Sequence, residues 1–141
     1  MTREGFRAGT LSHPRSRAAG AFGALLKSLG DAWRDRRYEE AVSHFAPDIR
    51  YVDPLRYSIS GRDALLAFFR NDGGYPQDTT WHHVLFDEAT QIGAAEYSYR
   101  GTHLYHGVVL IRLEDDRITH WREYQHMSGL DWESFFKGAA F

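Results

Sequence analysis

Phe22, Leu25, Leu26, Leu29 and Trp33 recur at helical spacing while Lys27, Asp31, Arg34 and Asp35 fall off that stripe, so this stretch predicts an amphipathic helix. Tyr38, Ala41, Val42 and Phe45 carry the period into a second, short helix that Pro47 stops. Ile49 to Asp53 reads as a strand ending at Pro54. Ser60 and Asp63 have capping-box spacing ahead of Leu65, Leu66, Phe68 and Phe69, a third helix that ends near Asn71-Asp72-Gly73-Gly74. The period then becomes two. Trp81–Asp87, Gln91–Arg100, Leu104–Glu114 and Arg117–Met127 are rich in β-branched and aromatic residues, with short breaks between them. Asp115-Asp116 has the makings of a two-residue hairpin turn, and Asp131 is placed to cap a last short helix with Trp132, Phe135 and Phe136. Helices first and a meander after them predict an α+β fold, one antiparallel sheet with helices laid across one face.

Composition narrows the class. A chain of 141 residues is one domain's worth, and 43% hydrophobic residues fill a core without metal or disulfide staples. There is no cysteine, which excludes a disulfide framework, a thiolate nucleophile and thiolate-ligated metal. The first twenty residues carry Arg3, Arg7, Arg15 and Arg17 against Glu4 and have no periodicity, so they read as a flexible basic tail on a domain spanning 21–141. With 17 basic and 19 acidic side chains the whole has no electrostatic footprint for nucleic acid. No apolar run is long enough for a bilayer and no secretory signal opens the chain, so a soluble cytoplasmic protein is expected.

Alternation nominates the chemistry. In the first strand Ile49, Tyr51 and Asp53 share a face, and they are the inward set because Arg50 would be costly inside. A carboxylate there, among rings and aliphatic chains and held extended by Pro54, has its pKa raised by desolvation toward the proton-shuttling range. In the last strand Trp121, Glu123 and Gln125 should point inward, and His120, Arg122, Tyr124 and His126 outward. The outward row mixes aromatic with polar groups and predicts a homodimer through the sheet. His83 in Trp81-His82-His83-Val84 offers an imidazole that both takes and gives a proton near neutrality. Tyr105 shares parity with Gly107, Val109 and Ile111. Within Gln91–Arg100 the register is open: either Ala94, Glu96 and Ser98 face in, or Ala95, Tyr97 and Tyr99 do. Eight histidines include no helical His-x-x-x-His or His-Glu-x-x-His, and His103-x-x-His106 on a strand points to opposite faces, so no metal is expected.

Phe45-Ala46-Pro47-Asp48, Tyr51-Val52-Asp53-Pro54 with Gly61-Arg62, Gly101-Thr102-His103 and Arg117-Ile118-Thr119-His120-Trp121-Arg122-Glu123-Tyr124 stand in an order and spacing that resemble the cone-shaped α+β superfamily. That superfamily includes ketosteroid isomerase, scytalone dehydratase, limonene epoxide hydrolase, SnoaL-type polyketide cyclases and nuclear transport factor two. The resemblance covers about Phe22 to Phe136. It implies a strongly curved antiparallel sheet with the N-terminal helices packed on its concave side around a deep apolar pocket. It makes Asp53 the counterpart of the isomerase's base, Glu123 that of the hydrolase's water-activating aspartate, and His83 the nearest match to the dehydratase's pocket histidine. It favours Glu96 inward, with Ala94 where the hydrolase has arginine. Leu29 and Val109 stand where the isomerase has its oxyanion donors.

The function so implied is a cofactor-free acid–base enzyme acting on a hydrophobic, carbonyl-bearing small molecule, as an isomerase, cyclase or dehydratase. Asp53, His83 and Glu123 would be the proton-transfer groups, and Trp33, Tyr51, Glu96, His103, Tyr105, Trp121 and Gln125 would line the pocket. The rivals are epoxide-hydrolase-like addition of water and a non-catalytic module that only holds a ligand or a second chain. A pocket filled by Trp33, Trp81 and Trp121, with Asp53 salt-bridged to an arginine, would favour the latter.

Overall fold

A computed structural model describes residues 16–141, so most of the segment read as a basic tail lies outside the described residues. Its end belongs to the folded body. Helix α1 (Ala19–Arg34) begins there, and Arg17 Nε donates to Asp116 Oδ1 at 2.6 Å while the Arg17 backbone N–H reaches Gln91 Oε1 at 2.9 Å. The apolar stripe is the buried face of α1.

Helix α2 (Tyr38–Val42) is a single turn, and it stops three residues before Phe45 rather than at Pro47. Phe45 opens strand β1 (Phe45–Asp53), and Pro47 lies where the ladder to the neighbouring strand lapses between Phe45 and Arg50, so its missing N–H breaks no bond. A short strand β2 (Tyr57–Ser60) turns back along β1, pairing Asp53 with Tyr57. Because Ser60 is used in that strand, the expected capping box does not form. Helix α3 (Arg62–Arg70) is entered through Gly61 at φ 91°, without a side-chain cap.

Strands β3 (Asp78–Asp87), β4 (Ile92–Arg100), β5 (Leu104–Glu114) and β6 (Arg117–Met127) form the expected meander, and Asp115 and Asp116 take φ 49° and 66° in the hairpin between the last two. The six strands run β2-β1-β6-β5-β4-β3, antiparallel throughout except that β1 lies parallel to β6. Register shifts interrupt β1 after Phe45, the β5–β6 pair after Arg112 and β3 after Trp81. Each such bulge adds local twist, and together they bend the sheet into the cone.

Helices α1 to α3 cover the inner face. At one end of it Tyr51 stacks on Trp121 at 5.3 Å and 7°, with Trp33, Phe45 and Phe69 edge-on around the pair. At the other, Phe22 stacks on Phe86 at 4.4 Å. Helix α4 (Trp132–Phe135), capped by Asp131 Oδ1 accepting from Ser134 N–H at 2.8 Å, lies on the outer face, where Trp132 stacks on His82 at 3.9 Å.

Gly93 marks the tightest approach of helix to sheet: a Cβ there would sit 2.6 Å from the Phe22 ring and 2.9 Å from the Leu85 carbonyl oxygen. Gly93→Ala should therefore destabilise the fold by about 1–3 kcal/mol, read as a lower urea midpoint. An unchanged midpoint would mean that Phe22 does not pack as described.

Candidate active site

Between the inner face and helices α1 and α3 the curved sheet leaves a cavity of about 260 Å³. Trp33, Tyr51, Phe68, Phe69, Trp81 and Trp121 make its apolar wall, and Glu123, Tyr57, Tyr97 and Gln125 bring polar groups into it. This is the usual composition of a small-molecule pocket, much apolar surface with a few convergent polar atoms.

Glu123 is the centre of those atoms. Alternation along β6 turns it inward between Trp121 and Gln125, where it is only 6% exposed. Trp121 Nε1–H donates to Glu123 Oε1 at 3.0 Å, the Tyr97 hydroxyl approaches the same oxygen at 3.3 Å, and the Tyr57 hydroxyl donates to Oε2. Burial first, and then the nearby charge of Asp53, push the Glu123 carboxyl up to about 8, with Arg56 opposing the shift. Glu123 is therefore largely protonated at neutral pH. Burial likewise lifts the Tyr97 hydroxyl well above its ordinary range, so it stays a donor.

Asp53 is buried as alternation requires, 3% exposed, but it does not line the cavity. Its Oδ1 accepts the Leu55 N–H at 3.0 Å, and its Oδ2 accepts from Arg56 Nη1 at 3.2 Å and Gln125 Nε2 at 3.1 Å. It opens the β1–β2 turn from inside the protein, a side chain completing a turn that Arg56 N–H closes onto the Asp53 carbonyl at 3.0 Å. These three donors hold its oxygens in the turn, outside the lining of the cavity where a base was expected. Gln125 joins the two carboxylates: its Nε2–H also reaches the Tyr57 hydroxyl oxygen at 3.2 Å, and its Oε1 accepts from Tyr97 at 2.9 Å.

His83 and Glu96 are corrections as well. The bulge after Trp81 inserts one residue into β3, so His83, which would share Trp81's face in a regular strand, pairs with Glu96 instead, Nδ1 to Oε1 at 3.2 Å, and neither lines the cavity. On β4 the inward set is Gly93, Ala95, Tyr97 and Tyr99. Trp33, Tyr51, Trp121 and Gln125 lie in the wall and Tyr105 and His103 at its rim, as expected, His103 exposed. The Trp33 indole N–H has no partner among the described residues. Sequence reasoning passed over Tyr57 and Arg56, and it left Tyr97 to one of two open registers. The rise in size from Gly93 through Ala95 to Tyr97 was the available signal for that register, since small residues suit the helix-covered end and rings the open end.

A curved α+β sheet closed by helices over an aromatic pocket, with a buried carboxyl in the pocket wall, is the architecture the site sits in. The chain belongs to the SnoaL-like domain family, which matches residues 26–121. Solved structures of the same fold include a cystatin-like-fold protein from Methylobium petroleophilum PM1 at 13% identity, with TM-score 0.72 over 84% of each chain. They also include an LEH-like epoxide hydrolase from M. tuberculosis, 17% identical over 82% of this chain and 86% of that one, TM-score 0.63. A Δ5-3-ketosteroid isomerase from Mycobacterium sp. is 18% identical over 74% of this chain and 96% of that one, TM-score 0.63. No curated protein matches in sequence. Among the described residues no helix is long and apolar enough to cross a membrane.

The raised carboxyl has a measurable consequence. Between the unfolded value near 4.5 and the folded value of about 8 the native state holds a proton that the unfolded chain has released, so this group's contribution is full below 4.5 and is lost as pH rises to 8. The Tm difference between the wild type and Glu123→Gln should fall across that window. A difference independent of pH would show that Glu123 titrates normally.

Proposed function

We propose that the protein is a cofactor-free acid–base enzyme that moves a proton on a hydrophobic, carbonyl-bearing small molecule, an isomerase, cyclase or dehydratase, with Glu123 as the proton-transfer group. The observation that carries this reading is a carboxyl held near 8 in the wall of an aromatic cavity, bridged to two tyrosine hydroxyls. General catalysis is most effective when the pKa lies near the working pH, and burial has moved this group there.

In the ionised fraction, about a tenth at pH 7 for an acid of this strength, a Glu123 oxygen takes the proton from the carbon beside the substrate carbonyl. The resulting acid returns it to another carbon or to a departing hydroxyl. Tyr57 and Tyr97 already donate toward the Glu123 oxygens, so a carbonyl oxygen seated against the same carboxyl lies within their reach as charge develops on it. Tyr51 and Trp121 supply the flat wall against which an unsaturated ring system packs. Asp53 acts at one remove, by fixing Gln125 and by its charge on Glu123.

Incubated in D2O with 4-phenyl-2-butanone, the wild type should speed exchange of the protons beside the carbonyl, followed by proton NMR. Glu123→Gln should cost about 10²- to 10⁴-fold of that rate. Asp53→Asn should keep the activity and move its pH dependence to lower pH, because the charge that raises Glu123 is removed. Exchange that survives in Glu123→Gln would end the proposal, and solvent oxygen-18 appearing in product from an epoxide would favour the hydrolase reading instead.

The outward row His120, Arg122, Tyr124 and His126 is exposed on β6. A homodimer through that face is expected to give twice the monomer mass by light scattering at micromolar concentration.

A further inference from the structure

Arg56 stands at the rim of the cavity in a manner that Glu123's chemistry does not require. Its side chain is one-third exposed, and it is fastened on one side only: Nη1 donates to Asp53 Oδ2 at 3.2 Å and to the Gln125 carbonyl at 3.3 Å, and the guanidinium lies 4.8 Å over the Tyr105 ring. Nε and Nη2 have no protein partner among the described residues. An arginine normally loses much side-chain freedom when it grips a ligand, and here that loss has already been met by Asp53, the Gln125 carbonyl and Tyr105. What remains presented is one edge of a planar fork, the shape that takes a carboxylate by two parallel N–H donors.

Among the described lining residues Arg56 is the one arginine and there is no lysine. Asp72, which with Glu123 supplies the carboxyls of the lining, accepts from the Tyr38 hydroxyl at 2.6 Å and the Gly74 N–H at 2.8 Å, with Arg36 3.6 Å away. His103 is exposed at the rim. Arg56 is followed directly by Tyr57, whose hydroxyl meets Glu123. Arg56, Tyr57 and Glu123 all line the same cavity, so one molecule can meet the guanidinium and the carboxyl together.

We propose that Arg56, preset by Asp53, is the specificity residue of the cavity and that the substrate is a hydrophobic molecule bearing a carboxylate at the end that lies at the rim. This inference rests on the reading of the cavity as a small-molecule site, and it assigns the buried Asp53 carboxylate a positioning role. An apolar body also suits the aromatic part of the wall, Trp33, Tyr51, Trp81 and Trp121.

The test compares 4-phenylbutyrate with 4-phenylbutyramide at pH 7, by calorimetry and by quenching of Trp33, Trp81 and Trp121, the tryptophans of the wall. The wild type should bind the acid about tenfold or more tightly than the amide. Acetate and inorganic phosphate should compete weakly, since the fork alone is not the site. Arg56→Gln should erase the preference while the amide binds as before. Arg56→Lys, which keeps the charge but not the fork, should retain only part of it. Because Arg56→Gln leaves a buried carboxylate without its cation, the double variant Asp53→Asn with Arg56→Gln supplies a second reading free of that strain, and it too should show no preference. Equal affinity for acid and amide in the wild type, or a preference that survives in the double variant, overturns the inference while the proton-exchange reading stands. Phosphate binding as tightly as phenylbutyrate would reveal a plain anion site and overturn it too. Binding of neither probe, together with no proton exchange, overturns both.

Discussion

A carboxyl group enclosed by aromatic rings must be neutral or well bonded, and the inner face of this protein is arranged around that constraint. Strand β6 is the element that imposes it. Flanked by β1 on one side and β5 on the other, it has no freedom to slip, so Trp121, Glu123 and Gln125 are committed together to the interior. Every polar group that meets Glu123 comes from a different element: Tyr97 from β4, Tyr57 from β2 and Trp121 from its own strand. Full ionisation is disfavoured by the enclosure and permitted by the donors, which leaves a group poised between the two states. Such an environment is what proton transfer at neutral pH demands of a carboxylic acid.

Asp53 and Glu123 show how two buried carboxyls on adjacent strands can be given opposite tasks. Asp53 has a backbone N–H, an amide and a guanidinium as donors, and its charge is answered within the turn it opens. Glu123 has only neutral hydroxyl and indole donors. The contrast is between an anion whose charge is matched locally and a carboxyl that burial keeps largely neutral. Gln125 lies between them with its amide split, nitrogen toward Asp53 and oxygen toward Tyr97, so the two tasks are mechanically joined.

Much of this was legible from the pattern of residues, and the failures have physical causes. Alternation placed Asp53, Glu123 and Gln125 inside because each lies on a strand stretch that stays regular at that point. His83, nominated by resemblance, lies off the cavity, since a bulge is a matter of spatial bending that leaves no mark in a run such as Trp81-His82-His83. Glu96 was misplaced because both faces of β4 carry small and polar residues, and only the crowding of Gly93 against Phe22 decides between them. Tyr57 was overlooked because a four-residue edge strand is too short to show a period, and Arg56 because it lies in the turn before that strand. Burial also proved insufficient to identify a base: Asp53 is as sheltered as expected, yet the direction of its oxygens, fixed by the turn, takes it out of the cavity.

The interruption in β3 reaches further than the histidine it redirects. Ahead of it Thr79 and Trp81 face the hollow, and beyond it Val84 and Phe86 face the first helix, odd numbers giving way to even. One strand thus serves two compartments whose geometry a uniform pleat would not satisfy together. In evolutionary terms the extra residue acts as a frame-keeper: a descendant that lost it would have to choose between a lined chamber and a seated helix, so length at this point should be guarded more strictly than the chemical identity of the residue that provides it.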